Sequence, residues 1–141
     1  MKELKDYVRT IPDFPAKGIM FRDVTSVLQD ADGFHLAIDE LKKLIDGIDF
    51  DVIVGAESRG FIMGAPLAYE MHKDSIQKGQ KVILVDDLIA TGGTLAASVK
   101  LVEKLGGEVV KVICLMELKG LNGRDKLKGY DVEAVITYEG K

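Results

Sequence analysis

Two short runs of consecutive apolar residues constrain the fold of this chain more than any other feature. The first is Val52-Ile53-Val54, which ends at Gly55, and the second is Val82-Ile83-Leu84-Val85, which ends at a pair of aspartates. A strand that is apolar at successive positions suits a sheet buried on both faces, as parallel sheets are. Each run is followed by a stretch with helical periodicity, so the sequence predicts βα units and a parallel sheet.

The rest of the sequence continues this alternation of strands and helices. We expect a helix over residues 4–10, an amphipathic helix over 34–45 capped by Asp30 or Asp32, and helices over about 60–71 and 94–105. Strands are expected over 109–118 and 131–138, with a turn of helix over 124–127 between them. The pattern predicts one α/β domain over residues 1–141, built as a three-layer parallel sheet with flanking helices.

Composition argues against several classes of function. The formal net charge is −4 at pH 7, whereas nucleic-acid-binding domains normally carry a basic face. Cys114 is the only cysteine, so no intrachain disulfide can form and a reducing cytoplasm is the expected compartment. No uncharged apolar stretch reaches membrane-spanning length, and the two histidines offer no metal-ligand spacing. We expect a cytoplasmic protein with no nucleic-acid partner, membrane partner or structural metal.

The segment that carries chemistry follows the second apolar run. Its sequence, Asp86-Asp87-Leu88-Ile89-Ala90-Thr91-Gly92-Gly93-Thr94, begins where we expect the strand to end. Ligands of doubly wound sheets bind outside the carboxyl ends of the strands. The carboxylates of Asp86 and Asp87 could accept hydrogen bonds from vicinal hydroxyls or approach Mg²⁺ through water.

Residues 90–94 form a run of small residues that suits a phosphate group. Backbone N–H groups, the hydroxyls of Thr91 and Thr94 and the start of the next helix could surround the phosphate. Glycine is required at positions 92 and 93 in this interpretation, because a side chain would hold the backbone away from the phosphate oxygens. A tight turn between strand and helix explains Thr-Gly-Gly-Thr alone equally well, and the acidic pair beside it favours ligand binding.

The block from 82 to 94 resembles the phosphoribosyl-pyrophosphate signature of type I phosphoribosyltransferases. Segments 11–15, 18–25, 55–61 and 123–127 are similar to the adenine phosphoribosyltransferases of that class. The resemblance implies the type I fold, with residues 1–32 as an N-terminal helix and a hood over the base, and 33–141 as the α/β core. It also implies a homodimer that converts adenine and phosphoribosyl pyrophosphate into AMP and pyrophosphate, with Mg²⁺ bound through pyrophosphate and water.

The resemblance assigns three residues of the hood to the base. The backbone around Met20 and the side chain of Arg22 would contact adenine, and Phe21 would help to enclose it. Taken singly, an aromatic residue is more often part of a core, and a lone arginine is more often a surface ion-pair partner.

The same resemblance assigns the remaining site residues to the ribose and its phosphates. Arg59 would face pyrophosphate, and Asp86 and Asp87 would meet the ribose hydroxyls. The 5-phosphate would be held by the small-residue loop, namely Ala90, Thr91, Gly92, Gly93 and Thr94.

The chain departs from the family pattern after Tyr69. The family continues there into a further strand, a basic loop that contacts pyrophosphate and a mobile loop, whereas residues 70–76 follow here at once. Either the chain is a shortened form, or the molecule carries residues at this point that the sequence omits. A true deletion would remove cations that stabilise departing pyrophosphate and would bare the edge of the strand at 52–54.

Two interpretations of function follow from this departure. The first is an adenine phosphoribosyltransferase of purine salvage with reduced activity. The second is a non-catalytic module that binds ribose phosphate or AMP, or an engineered scaffold of the same fold.

Overall fold

The two apolar runs lie side by side as neighbouring strands of a parallel sheet, the first at its edge and the second inside it. The computed structural model describes residues 2–56, 58–68 and 76–140. In chain order the elements are β1 (Arg9–Pro12), β2 (Met20–Asp23), α1 (Thr25–Gln29), α2 (Ala31–Ile45), β3 (Val52–Gly55), α3 (Arg59–Ala68), β4 (Lys81–Ile89), α4 (Gly93–Lys104), β5 (Glu108–Leu118) and β6 (Val132–Tyr138).

The main sheet has the strand order β3-β4-β5-β6, and all its neighbours are parallel. Its two faces are covered by different helices. Leu41 of α2 and Met63 of α3 pack with Ile83, Val85 and other residues of one face. On the opposite face, α4 packs through Leu95 and Val99 against residues that include Leu84, Val112 and Cys114. This arrangement confirms the predicted three-layer parallel sheet with flanking helices.

Helix α2 forms as its sequence predicts. The Asp30 side chain accepts a hydrogen bond from the backbone N–H of Gly33 at 2.9 Å, which satisfies a donor that the first helical turn leaves free. Of the two residues predicted to cap the helix, Asp30 is therefore the N-cap. The helix starts at Ala31, so the expected boundary between hood and core at residue 32 falls inside its first turn.

The N-terminal region differs from the prediction. The expected helix over 4–10 is only a single 3₁₀ turn, Leu4–Tyr7, and Arg9–Pro12 is a strand that pairs antiparallel with β2. The periodic apolar residues do not define a helix here because β1 finds a hydrogen-bonding partner in residues 20–23. The short helix α1 was not predicted at all.

Strand β4 is longer than expected. It continues beyond the acidic pair to Ile89, and its partner β5 runs alongside it as far as Glu117. The prediction that the strand ends at Asp86 and Asp87 was therefore wrong, because pairing with β5 extends it. The other predicted strands agree with the structure to within two residues.

Some predictions fall outside the described residues. These are the end of the helix expected near Met71 and any role of Glu57. None of the helices in the described ranges is long and apolar enough to cross a membrane.

Candidate functional site

The acidic pair lies buried near the carboxyl end of β4. Asp86 and Asp87 are each 7% exposed, and the Asp87 backbone N–H donates to Asp86 Oδ1 at 2.8 Å. Burial raises the pKa of the Asp86 carboxyl to about 7, and the neighbouring Asp87 carboxylate acts in the same direction. Charged Arg59 opposes this rise in the pKa. Asp86 therefore changes charge near neutral pH.

The first residue of α3 supplies the counter-ion of the pair. Arg59 Nε lies 2.6 Å from Asp87 Oδ2, and the arginine side chain is 46% exposed. The start of α3 reaches β4 because Gly60 has no side chain: a Cβ there would lie 2.9 Å from the Val85 carbonyl oxygen. Small residues after β3 thus bring a cation to the carboxyl edge of β4.

Residues 90–92 connect β4 to α4, and together with the first two helical residues, Gly93 and Thr94, they line an open cleft. The cleft has a volume of about 370 Å³ and is lined by Ser58, Arg59, Asp86, Asp87, Leu88, Ala90, Thr91, Gly92, Gly93, Thr94 and Leu95. No side chain caps α4, and its first helical hydrogen bond is donated by Ala96 to the Gly92 carbonyl at 3.0 Å. The earlier N–H groups at this end of α4 are therefore oriented to receive an anion.

The two glycines of the loop are constrained in different ways. Gly92 has φ +74°, and a Cβ there would lie 2.1 Å from the Gly123 carbonyl oxygen. A Cβ at Gly93 would meet nothing closer than 3.8 Å. The sequence predicted that a side chain at either position would keep the backbone away from a phosphate. The structure supports this reason only for Gly93, where a side chain would enter the cleft. Gly92 is needed because the turn beginning at Gly123 packs directly against the loop.

That turn is a part of the site that sequence reasoning left without a role. Gly123–Leu127 forms a 3₁₀ helix, and its buried Leu127 packs with Ile89 and Leu95. Arg124 donates from Nε and Nη2 to the buried Glu117 carboxylate at 2.8 and 2.7 Å. The only signal in the sequence was the similarity of segment 123–127 to adenine phosphoribosyltransferases.

The predicted base-binding residues lie on the β1–β2 hairpin. Met20, Phe21 and Arg22 are not among the residues that line the cleft at Asp86–Thr94. Phe21 meets Phe14 edge to face, with ring centroids 5.2 Å apart. These two rings form an aromatic surface, and Phe14 is 49% exposed.

The Arg22 side chain contacts two other residues of the protein, and the role toward adenine that the resemblance implies for it stays a prediction. Its guanidinium carbon lies 4.2 Å from the centroid of the Tyr138 ring, and its Nη1 donates to the Thr10 hydroxyl. Tyr138 ends β6, so this contact holds the hairpin at the carboxyl edge of the sheet, where the cleft also lies.

Buried Asp23 fixes the base of the hairpin. Its carboxylate accepts hydrogen bonds from Thr25 and from Arg9, and these bonds hold its pKa below the usual range. The hairpin is therefore tied to α1 through Thr25 and braced across its own strands by the Arg9–Asp23 ion pair.

The geometry of the cleft suits a sugar phosphate. Uncapped N–H groups and hydroxyls of the cleft can hold a phosphate, and the carboxylates that line the same cleft can accept hydrogen bonds from vicinal hydroxyls. Arg59 adds a positive charge at the side of the acidic pair. Of the predicted site residues, the structure brings together Arg59, Asp86, Asp87 and residues 90–94.

Comparison with known proteins agrees with this arrangement. Residues 70–138 match the family model described as a phosphoribosyl transferase domain. An adenine phosphoribosyltransferase of Agathobacter rectalis is 58% identical, and the alignment covers 100% of both chains. That alignment runs over 174 positions against the 141 residues of this chain, so the relative has residues without a counterpart here.

Solved structures show the same fold. The adenine phosphoribosyltransferase of Thermoanaerobacter pseudethanolicus superimposes with a TM-score of 0.87 at 44% identity, covering 96% of this chain and 98% of that one. The Saccharomyces cerevisiae enzyme gives 0.82 at 33% identity, covering 94% and 95%; it was solved with adenine and an imino-altritol bisphosphate. The sheet, the cleft and these relatives together show that this chain belongs to the adenine phosphoribosyltransferase family, a family of glycosyltransferases.

Proposed function

We propose that this chain binds AMP and phosphoribosyl pyrophosphate in the cleft of residues 86–94, and that its reaction joins adenine to the ribose carbon that releases pyrophosphate. The observation that carries the proposal is the buried acidic pair beside an uncapped helix start, with Arg59 2.6 Å from Asp87. Membership of the family supports the choice of adenine.

Each part of the cleft has a role in this proposal. The loop of residues 90–94 and the start of α4 hold the 5-phosphate, because they line the cleft and the N–H groups of an uncapped helix start can bind an anion. Asp86 and Asp87 accept hydrogen bonds from the ribose hydroxyls. Arg59 pairs with Asp87 and is half-exposed, so it can neutralise charge on pyrophosphate as that group leaves.

The hairpin within residues 1–32 is proposed as the hood over the base, and residues 33–141 as the core. Phe14 and Phe21 offer ring faces and edges for a purine, and the backbone around Met20, a residue that is 41% exposed, is proposed to contact the base. The Arg22 side chain anchors this hood through Tyr138 and Thr10, and from there it is proposed to contact adenine.

Magnesium fits this site as an ion carried by the substrate. In the described part of the chain, no group of three His, Cys, Asp or Glu side chains could hold a metal ion by itself. Asp86 and Asp87 could approach, through water, a Mg²⁺ bound to pyrophosphate oxygens. The ion would supply positive charge to the leaving group.

We expect AMP binding to be retained and turnover to be severely reduced. The relatives carry residues that have no counterpart here, and the family pattern places a basic loop and a mobile loop after the position of Tyr69. Without them, Arg59 is left as the cation that lines the cleft beside the acidic pair. The alternative is a module of the same fold that binds ribose phosphate or AMP without catalysis.

A titration and an assay on one sample of confirmed mass separate these functions. Calorimetric titration with AMP should show binding, and AMP formation from adenine, phosphoribosyl pyrophosphate and Mg²⁺ should be slow but dependent on the Arg59 side chain. Arg59→Met should abolish the residual turnover, whereas Lys100→Met, at an exposed position of α4, is the control and should leave it unchanged. Turnover at the level of full-length relatives would contradict the expected loss, and binding with no turnover at all would favour the module.

The proposed location is the cytoplasm. The single cysteine, Cys114, is buried as a free thiol in the centre of the sheet, which suits a reducing compartment. Fractionation of cells that produce the protein would test this location directly.

A further inference from the structure

We propose that Lys126 is a phosphate-binding residue of the cleft and that its ammonium group contacts the 5-phosphate of the nucleotide. This inference rests on the proposed function and adds a side chain from a different part of the chain to the cradle of residues 90–94. The juxtaposition that carries it is that of Lys126 Nζ with Gly93. A Cβ built on Gly93 would lie 3.8 Å from that nitrogen.

The position next to Gly93 is the open side of the loop. A Cβ there would also lie 3.8 Å from Thr91 Oγ1, so the Thr91 hydroxyl and the Lys126 ammonium border the same space. A phosphate held by the first N–H groups of α4 would occupy this space. Its oxygens would then lie within reach of a hydroxyl donor and of a cation.

The backbone that carries Lys126 is held firmly against the loop. Gly123 packs on the Gly92 backbone, and Leu127, which is 2% exposed, packs in the cluster that contains Ile89 and Leu95. Lys126 lies between these two anchored residues. Its flexible side chain therefore projects from a fixed point beside the start of α4.

The charged neighbours of Lys126 are already paired. Arg124 binds Glu117, and Asp125 lies 3.7 Å from Lys128 Nζ. Lys126 has no carboxylate partner within the described ranges. In a chain with net charge −4, a lysine left unpaired beside an anion cradle is positioned to bind the anion.

Lys126→Met tests the role because it keeps the length of the side chain and removes the charge. Calorimetry should show an AMP dissociation constant about ten-fold higher, because a charge-assisted hydrogen bond to phosphate is lost. Binding of adenosine, which lacks the phosphate, should not change. Lys126→Arg should restore most of the AMP affinity. The matched control is Lys128→Met, two residues along the same turn, and it should bind AMP like the parent.

These measurements distinguish failure of the proposed role of Lys126 from failure of the proposed nucleotide-binding function. If the parent binds AMP and Lys126→Met binds it equally well, Lys126 has no role and the proposed function stands. If the parent binds ribose 5-phosphate but not AMP, and Lys126→Met weakens that binding, Lys126 stands and the nucleotide assignment fails. A parent that binds neither ligand overturns both.

Discussion

At the scale of single residues, the buried carboxyl of Asp86 makes stability depend on pH. Its pKa of about 7 in the folded chain lies above the 3.8 of an unperturbed aspartate. Between these values the folded state holds a proton that the unfolded state has lost, so stability falls as the pH rises from about 4 to about 7. Above pH 7 the cost of the buried charge is complete.

Asp86→Asn should remove that cost. We expect the variant to be more stable than the parent at pH 8 by roughly 1–4 kcal/mol and nearly equal to it at pH 4. Urea denaturation at both pH values measures this difference. Asp39→Asn, an exposed change on α2, is the control and should shift neither midpoint. A gain that is equal at both pH values would show that the carboxyl charge is not its cause.

Gly92 and Gly93 should respond in opposite ways to the same small change. Gly92→Ala places a Cβ 2.1 Å from a carbonyl oxygen at φ +74°, which should cost about 2–4 kcal/mol of stability. Gly93→Ala meets no close atom and should leave stability unchanged or slightly raised. Urea midpoints of the two variants decide the matter, and equal losses would refute the distinction.

At the scale of elements, the contact between Arg22 and Tyr138 should hold the hairpin of β1 and β2 in place. Arg22→Met removes the guanidinium from the ring and should weaken local protection of the hairpin by about 0.5–2 kcal/mol. Hydrogen exchange should become faster in β1 and β2 and stay unchanged in β5. Lys17→Met, in the exposed turn of the same hairpin, is the control. Unchanged exchange in the hairpin would mean that the ion pair of Arg9 with Asp23 is sufficient.

The elements also show how far the sequence could predict the structure. The parallel strands and α4 were predictable because apolar runs and helical periodicity are local signals in the sequence. The N-cap of α2 was predictable for the same reason, since Asp30 directly precedes the helix. The hairpin of β1 and β2 was not predictable from local signals, because β1 is a strand only through its pairing with residues 20–23.

Within the candidate site, too, the residues that are close in the sequence were predictable and the contacts between distant segments were not. Asp86, Asp87 and residues 90–94 adjoin one another in the sequence, so their block was visible as a motif. The position of Lys126 beside Gly93 and that of Arg22 against the Tyr138 ring depend on contacts between distant segments. No local sequence pattern predicts these contacts.

At the scale of the whole molecule, the open edge of β3 predicts association. In the described residues β3 pairs only with β4, as the absence of a further strand led us to expect. The helix beside it exposes Phe61 and Ile62, at 54% and 47%. Unpaired backbone groups next to apolar side chains favour association with a second copy, so we expect a dimer.

Light scattering over a wide concentration range measures that association. Phe61→Asp should shift the protein toward monomer, whereas Leu101→Asp, on the exposed side of α4, should not. A parent that stays monomeric at high concentration would reject the dimer. Hydrogen exchange at Ile53 would then report whether the chain covers the edge itself. The candidate cover, residues 72–80, lies partly outside the described residues.

The central claim is that the loop of residues 90–94 holds the phosphate of a nucleotide. Calorimetric titration of AMP into the parent and into Gly93→Val tests this assignment, because Gly93 lines the cleft and a Cβ there would meet no atom closer than 3.8 Å. We predict measurable binding by the parent, no binding by the variant, and the same thermal unfolding for both. If the folded variant binds AMP as tightly as the parent, the phosphate is not held at this loop and the account is wrong.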